Sequence, residues 1–299
     1  MTANLHTKMA HAAPEVKNSR QVAETRSPAS AGMEGKGRVM KLIIVGACGR
    51  MGKAVAEAAE RSGITVAAGV DINAASAPLT YKYPIYEKPS DFTGSADVLI
   101  DFSHHTALEG VLRFAHERRM AAVIATTGHT GQELELMREA SSMIPIFYSR
   151  NMSLGVNLLL ELVKTAASAL GAEYNIEIVE EHHKHKLDAP SGTALMLAEA
   201  ATEGLRSAEG EDYKPQLVTE RASRRAEREA HEIGIHSVRG GSIVGEHEVI
   251  FAGQNEVIRL SHSAASREVF ADGAIKAAAF IIGKPAGLYD MRDLVSMPR

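Results

Sequence analysis

Tryptophan is absent, aromatic residues make up only 5% of the chain, and one cysteine serves 299 residues. So few aromatics argue against a surface that stacks nucleobases. A lone cysteine, Cys48, cannot close an intrachain disulfide, and it fits a reducing compartment such as the cytoplasm. Charge of neither sign dominates: 37 acidic against 33 basic residues give a formal net charge of -4. That removes the global electrostatic case for nucleic acid or an anionic membrane as partner. No apolar run approaches the roughly 20 residues that span a bilayer, and no apolar segment of a secretory signal opens the chain. What is present is ordinary globular composition, 45% hydrophobic and 23% charged, in a length that suits one large or two ordinary domains.

Residues 1–39 are small and polar without a sustained apolar period, and are expected to be a disordered tail or leader. Met33 and Met40 are alternative starts. Order is expected from Met40. Lys41 to Val45 is a short apolar run, read as a buried parallel strand. Gly46-Ala47-Cys48-Gly49-Arg50-Met51-Gly52 follows, then a helix through Arg61, then a strand from Thr65 that ends in Asp71. Strand, glycine turn, helix, strand and acid make a dinucleotide-binding unit. Here the spacing is G-x-x-G-x-x-G, not the commoner G-x-G-x-x-G, so the flanking elements carry the reading. The glycines let backbone approach a pyrophosphate. Asp71, about 20 residues beyond the turn, can accept bonds from ribose hydroxyls. Cys48 is a small filler in that turn.

Strands and helices go on alternating: Asp97–Phe102, a helix from His104 to Met120, Ala121–Ala125, a helix over 131–142, and Ile144–Tyr148. This implies an α/β fold with a Rossmann-type, doubly wound parallel sheet. Ligands in such sheets sit at the carboxyl ends of strands, which puts Ala125, Thr126, Thr127, Ser149, Arg150, Asn151 and Met152 at the nicotinamide end of a cleft. His104 and His105 also follow a strand, as cleft lining at most or a solvated helix start. Residues 40–152 form this dinucleotide-binding domain, and about 264–299, a small-residue helix and a loop, return to complete it. Residues 153–263 form a smaller α+β domain with a mixed sheet, built from the strand before His182 and from Ile233–Val238, Glu246–Phe251 and Glu256–His262. The polar region 202–230, with its run from Arg221 to Arg228, reads as a solvated loop or helix face.

The densest chemistry lies at Glu180-Glu181-His182-His183-Lys184-His185-Lys186-Leu187-Asp188-Ala189-Pro190-Ser191-Gly192-Thr193-Ala194. The approach, Asn175–Glu180, is a strand, so His182 shares a face with Ile176, Ile178 and Glu180, and His183 falls on the other. Ser191 is a natural N-cap for the helix that follows. The free N–H groups of Gly192 and Thr193 open that helix as an anion site. Histidine and lysine can deliver a proton near neutral pH. The stretch therefore suits a carboxylate substrate and a step that needs a proton. Adjacent histidines alternate faces and no cysteine is near, so no metal site is expected.

These residues resemble the 4-hydroxy-tetrahydrodipicolinate reductase (dihydrodipicolinate reductase) family over residues 40 to about 295. Glu181 to Ala194 follows the family signature along its length. Gly46–Gly52, Thr126–Gly128, Asn151–Asn157, Val244–His247 and Gly287–Met291 match in order. The resemblance implies reduction of a cyclic imine dicarboxylate by NAD(P)H in the diaminopimelate route to lysine. It implies His182 as proton donor or acceptor, Lys186 as a second donor, and His183, Gly192 and Thr193 as holders of substrate carboxylate. Gly46 to Met51, Asp71, Ala125 to Thr127 and Ser149 to Met152 would hold the dinucleotide. It also implies a homotetramer built through the second sheet. Ala125 departs from the glycine many members carry, and Ser149-Arg150 from a smaller pair. Asp71 is followed by no arginine to meet a 2′-phosphate, so NADH is the expected cofactor, with NADPH open through Arg50 or Lys82. Two other readings fit the fold: another nicotinamide oxidoreductase acting on a small carboxylate, and a non-catalytic dinucleotide sensor. The sensor predicts loss of the proton donors, and His182 and Lys186 are both present.

Overall fold

The computed structural model describes residues 39–295, Leu79 excepted. The expectation for residues 1–39 lies, apart from Val39, outside them. Alternating strands and helices run from β1 (Lys41–Val45), α1 (Arg50–Arg61), β2 (Thr65–Val70) and β3 (Ile85–Tyr86) to β4 (Val98–Asp101), α2 (Leu108–Glu117), β5 (Ala121–Ile124), α3 (Gly131–Ser141) and β6 (Pro145–Tyr148). Every pairing in this sheet is parallel. The order is β12-β6-β5-β4-β1-β2-β3, where β12 (Gly287–Tyr289) comes from the far end of the chain. Chain order reverses between β1 and β4, which makes that crevice the ligand-binding switch point of a doubly wound sheet.

The sheet is buried on both faces because alternate strand residues point opposite ways. Leu42, Ile44, Ile100, Val123 and Phe147 pack with α1 and with Ala271, Ala274, Ile275, Ala278 and Ile281 of α6 (Glu268–Ile281). Ile43, Val45, Leu99, Ala122, Ile124 and Ile146 pack on the other side with α2 and α3.

The second sheet is mixed, in the order β11-β10-β7-β9-β8. It comprises β7 (Asn175–His182), β8 (Gln216–Val218), β9 (Glu232–Arg239), β10 (Glu246–Ala252) and β11 (Val257–Ser263). Its core face holds Ile176, Ile178, Ile233, Ile235, Val249 and Phe251 against α4 (Leu154–Leu170) and α5 (Gly192–Glu209). By length and composition Leu154–Glu173, α4 with the turn that follows it, would suffice to cross a membrane, but Leu159, Val163 and Ala167 are packed into this core. Both helices open on a serine cap: Ser153 Oγ accepts from Val156 N and Ser191 Oγ from Ala194 N, each at 3.2 Å.

Several local readings need correction. Strands β3, β8 and β12 are two or three residues long, too short for a periodic signal. α5 runs to Glu209, into the region read as polar loop. The arginine run is no free solvated face. Arg221 and Arg224 pair with Glu232, buried on β9, and Arg228 Nε donates to Glu177 Oε1 at 2.8 Å. The four carboxylate oxygens of those two glutamates, on strands, explain why so many arginines cluster in sequence.

Candidate active site

The glycine turn sits at the switch point. Gly46 has φ +80°, and a Cβ there would stand 2.7 Å from the Phe102 carbonyl oxygen, in the segment following β4. Only glycine lets the two segments approach so closely. α1 then starts with no acidic residue in its first turn, and its first N–H groups have no intrahelical carbonyl partner. An anion can therefore settle on Arg50 and Met51. The residues present fit a dinucleotide pyrophosphate. Asp71 organises the turn: Oδ2 accepts from Cys48 N at 2.9 Å, and Oδ1 accepts from Asn73 N at 2.9 Å. Lys82 is engaged with Glu60 at 2.5 Å.

The strand ends beyond the turn behave unequally. Thr126 is buried and donates from Oγ1 to the Asp101 carbonyl at 3.3 Å, and Ala125 is buried beside it, while Thr127 is exposed. The Met152 side chain lies in the core, so only its backbone can face a ligand. Ser149 and Arg150 line a separate crevice of about 460 Å³ between the end of β6, the β12 region and α4 and α5. There Arg150 forms an ion pair with Glu199 of α5. Asn151 reaches across to the other domain: its Nδ2 donates to Thr193 Oγ1 at 3.0 Å. Neighbouring Asp101 was not singled out in sequence. It is fully buried, Oδ1 takes the N–H (2.9 Å) and O–H (2.6 Å) of Ser103, and burial pushes its pKa up.

The histidine–lysine stretch leaves the sheet at the end of β7. Alternation holds to the last residue: Ile176, Ile178, Glu180 and His182 are the buried positions of the strand. His182 Nδ1 lies 2.5 Å from Glu180 Oε2. Glu180 is fully buried and takes a two-point grip from Arg239 of β9, at 2.8 and 2.7 Å, plus the N–H of Ser191 at 3.2 Å. Burial pushes the Glu180 carboxyl up, but Arg239, Ser237 and His182 together bring it down to about 2. His182 is held below the usual histidine range, by burial first and against the pull of Glu180. The His182 and His247 rings meet near edge-on, centroids 5.2 Å apart at 75°. His247 Nε2 lies 3.0 Å from Ser191 Oγ, and burial presses its pKa down to about 4. Lys186 Nζ pairs with Asp188 Oδ2 at 2.9 Å. His183 Nε2 lies 3.3 Å from Arg267 Nη2.

Between the two lobes opens a cleft of about 1080 Å³. Arg50, Lys53 and Glu57 of α1 form one wall, and His183, Lys184, His185, Gly241 and Val244 face them, with Arg267 and Glu268 at the start of α6. His183 thus faces the dinucleotide turn. His182 and Lys186 are not on this wall. His182 sits one residue behind it, where a Cβ on Gly245 would stand 3.1 Å from its Nε2. The sequence assigns no role to Arg239, which reads as part of a turn, or to His247, which enters only within the Val244–His247 match. The partnership of Arg239 with Glu180 follows from the β7–β9 register, in which it lies opposite His182.

Residues 40–152 match the family model described as "Dihydrodipicolinate reductase, N-terminus", and residues 155–295 match "Dihydrodipicolinate reductase, C-terminus". The chain belongs to the dihydrodipicolinate reductase family. It is 52% identical over 258 residues to the 4-hydroxy-tetrahydrodipicolinate reductase of Caldanaerobacter subterraneus subsp. tengcongensis, covering 86% of this chain and 98% of that one. It is 43% identical to the reductase of the same name from Clostridium botulinum strain Eklund 17B, covering 87% and 100%. Its fold matches a dipicolinate-bound dihydrodipicolinate reductase from Paenisporosarcina sp. TG-14, with TM-score 0.69 at 22% identity over 86% of this chain and 99% of that one. Family membership makes the chain an oxidoreductase of the diaminopimelate and lysine route, with a nicotinamide-dinucleotide domain at its N-terminal side.

Proposed function

We propose that this chain reduces 4-hydroxy-tetrahydrodipicolinate to tetrahydrodipicolinate, with His182 and Lys186 handling protons and His183, Gly192 and Thr193 holding substrate carboxylate. One observation carries the reading: an imidazole–carboxylate pair, His182–Glu180, meets the amide end of α5 at Ser191. Proton source and anion cradle are thereby one assembly, next to a cleft walled by the dinucleotide turn. When bound, the reduced nicotinamide supplies the hydride. Arg50, Met51 and the turn from Gly46 would hold its pyrophosphate, Asp71 its ribose, and the strand ends Ala125–Thr127 and Ser149–Met152 its nicotinamide half.

The amides of Gly192 and Thr193 can take a carboxylate because Ser191 Oγ caps the N–H of Ala194 and leaves theirs pointing outward. Arg267 adds positive charge on the cleft wall, beside His183. Lys186 either gives a proton or offsets developing negative charge, and Asp188 holds its ammonium in the free enzyme. NADH is the preferred cofactor: Asp71 disfavours a 2′-phosphate, and Lys82 is occupied by Glu60. Arg50, on the cleft wall, keeps NADPH open as a second donor.

The face of the second sheet away from α4 and α5 carries Val238, 43% exposed, and Val257, 53% exposed. On this reading that face joins four copies in a cytoplasmic homotetramer. Coupling purified enzyme to a dihydrodipicolinate synthase reaction and following NADH absorbance tests the activity; oxidation no faster than background would refute it. Sedimentation should give four times the mass of one chain, and a monomer would remove the assembly.

A further inference from the structure

Glu180 is an unusual residue to find with no exposed surface, because a buried carboxylate needs partners for its charge. It has four donors. Arg239 Nη1 and Nη2 grip both oxygens at 2.8 and 2.7 Å, Ser191 N reaches Oε1 at 3.2 Å, and His182 Nδ1 stands 2.5 Å from Oε2. Guanidinium is always charged and only donates, so the carboxylate facing it is ionised and only accepts. The contact with His182 then has one chemical form: the proton is on Nδ1. Every proton His182 exchanges with a ligand must pass through Nε2.

Resting on the reading that His182 moves a proton, we propose that Glu180 is its positioning residue. It fixes the Nδ1–H tautomer, supplies the negative charge that an imidazolium needs there, and ties the ring to the amide end of α5 through Ser191. Arg239 is the clamp that keeps the carboxylate aimed.

The charges around the ring support this division of labour. Glu180 faces it from its own strand, Arg239 from β9, Lys186 from the loop beyond, and His247 from β10. Arg239 and Lys186 both oppose a positive imidazole, and His247 is kept neutral by burial. The Asp188 carboxylate is engaged by Lys186, and Glu180 is the one anion in contact with the ring, so without it the ring would lose its ion partner and stay unprotonated. A purely structural Glu180 would serve only to neutralise Arg239, and the pH profile of turnover would then not follow its charge.

Nitrogen-15 NMR of His182 in the intact wild-type enzyme reads the tautomer directly. Nδ1–H is expected, and Nε2–H would overturn the proposal whether or not any variant folds. Glu180→Gln should lower kcat by about 10²- to 10⁴-fold, the upper end being the loss when a carboxylate that fixes a reacting histidine's tautomer becomes an amide, with far less change in KM. The alkaline limb of the kcat profile should move to lower pH, because losing a nearby anion lowers an imidazole's pKa. Glu180→Asp should restore the limb toward its wild-type position. A folded Glu180→Gln enzyme with an unmoved limb would make the residue structural only. Full activity in His182→Ala would instead remove the proton-transfer role while leaving the tautomer result standing, so the two failures are told apart.

Discussion

The Asn151 side chain donates from Nδ2 to the Thr193 hydroxyl at 3.0 Å, joining the loop after β6 to the first turn of α5. Asn151 is itself held, with Oδ1 taking Ser153 N at 2.9 Å and its carbonyl taking Asn157 Nδ2 at 2.8 Å. The residue expected at the nicotinamide end and the residue expected under a substrate carboxylate are therefore one hydrogen-bonded unit. Thr193→Val should raise KM for the dicarboxylate more than it lowers kcat. A double-mutant cycle with Asn151→Ala should give a coupling of about 0.5–1.5 kcal/mol in unfolding free energy, the net worth of one such bond. Additive effects would mean that the two domains are not joined here.

His182→Ala and Lys186→Ala should each lower kcat by roughly 10²–10⁴ if the side chains transfer protons, with circular dichroism unchanged. The Lys186 variant also frees Asp188, which is 60% exposed and easily solvated, so folding should survive. Unchanged turnover in either variant would remove that residue from the chemistry.

Asp71 has two roles to separate. Asp71→Ala should shift the NADPH to NADH ratio of kcat/KM upward by removing a negative charge. It should also cost about 1–3 kcal/mol of stability, since Cys48 N loses its acceptor. Asp71→Asn keeps an acceptor oxygen and should move cofactor preference with less loss of stability. An unmoved ratio in both would show that another group reads the ribose.

Acid should destabilise the second domain in two steps. His247 is held near pKa 4 against an ordinary 6.5, so its contribution is complete above 6.5 and is lost as pH falls toward 4. The linkage amounts to about 3 kcal/mol. Glu180, held at about 2 against 4.5, adds a further loss between those values. Thermal melts from pH 7 to 4 should show a falling Tm that flattens in His247→Phe. An equal slope in that variant would place the acid sensitivity elsewhere.

Much of this was legible because strand alternation and helix capping are local rules. Two-residue periodicity put Glu180 and His182 on the Ile176 face, and Ser191 before Gly192-Thr193 announced the cap that the structure contains. What escaped depends on pairings distant in sequence. Arg239 meets Glu180 across 59 positions, and His247 meets Ser191 across 56. Neither spacing leaves a mark in either segment. The arginine run reads as a solvated face for the same reason, since its acceptors, Glu177 and Glu232, lie on strands outside it.

The nucleotide-side sheet borrows α6 and β12 from the last thirty or so residues, whereas the second sheet and its helices come from one unbroken stretch, 154–263. On the ribosome the order of completion should therefore invert the order of synthesis. The middle of the chain can finish folding while the first-made strands still wait, their Leu42, Ile44 and Phe147 side uncovered, for the final segment to emerge. A message cut short near its end should yield a protein with an intact second sheet and an incomplete nucleotide-side sheet.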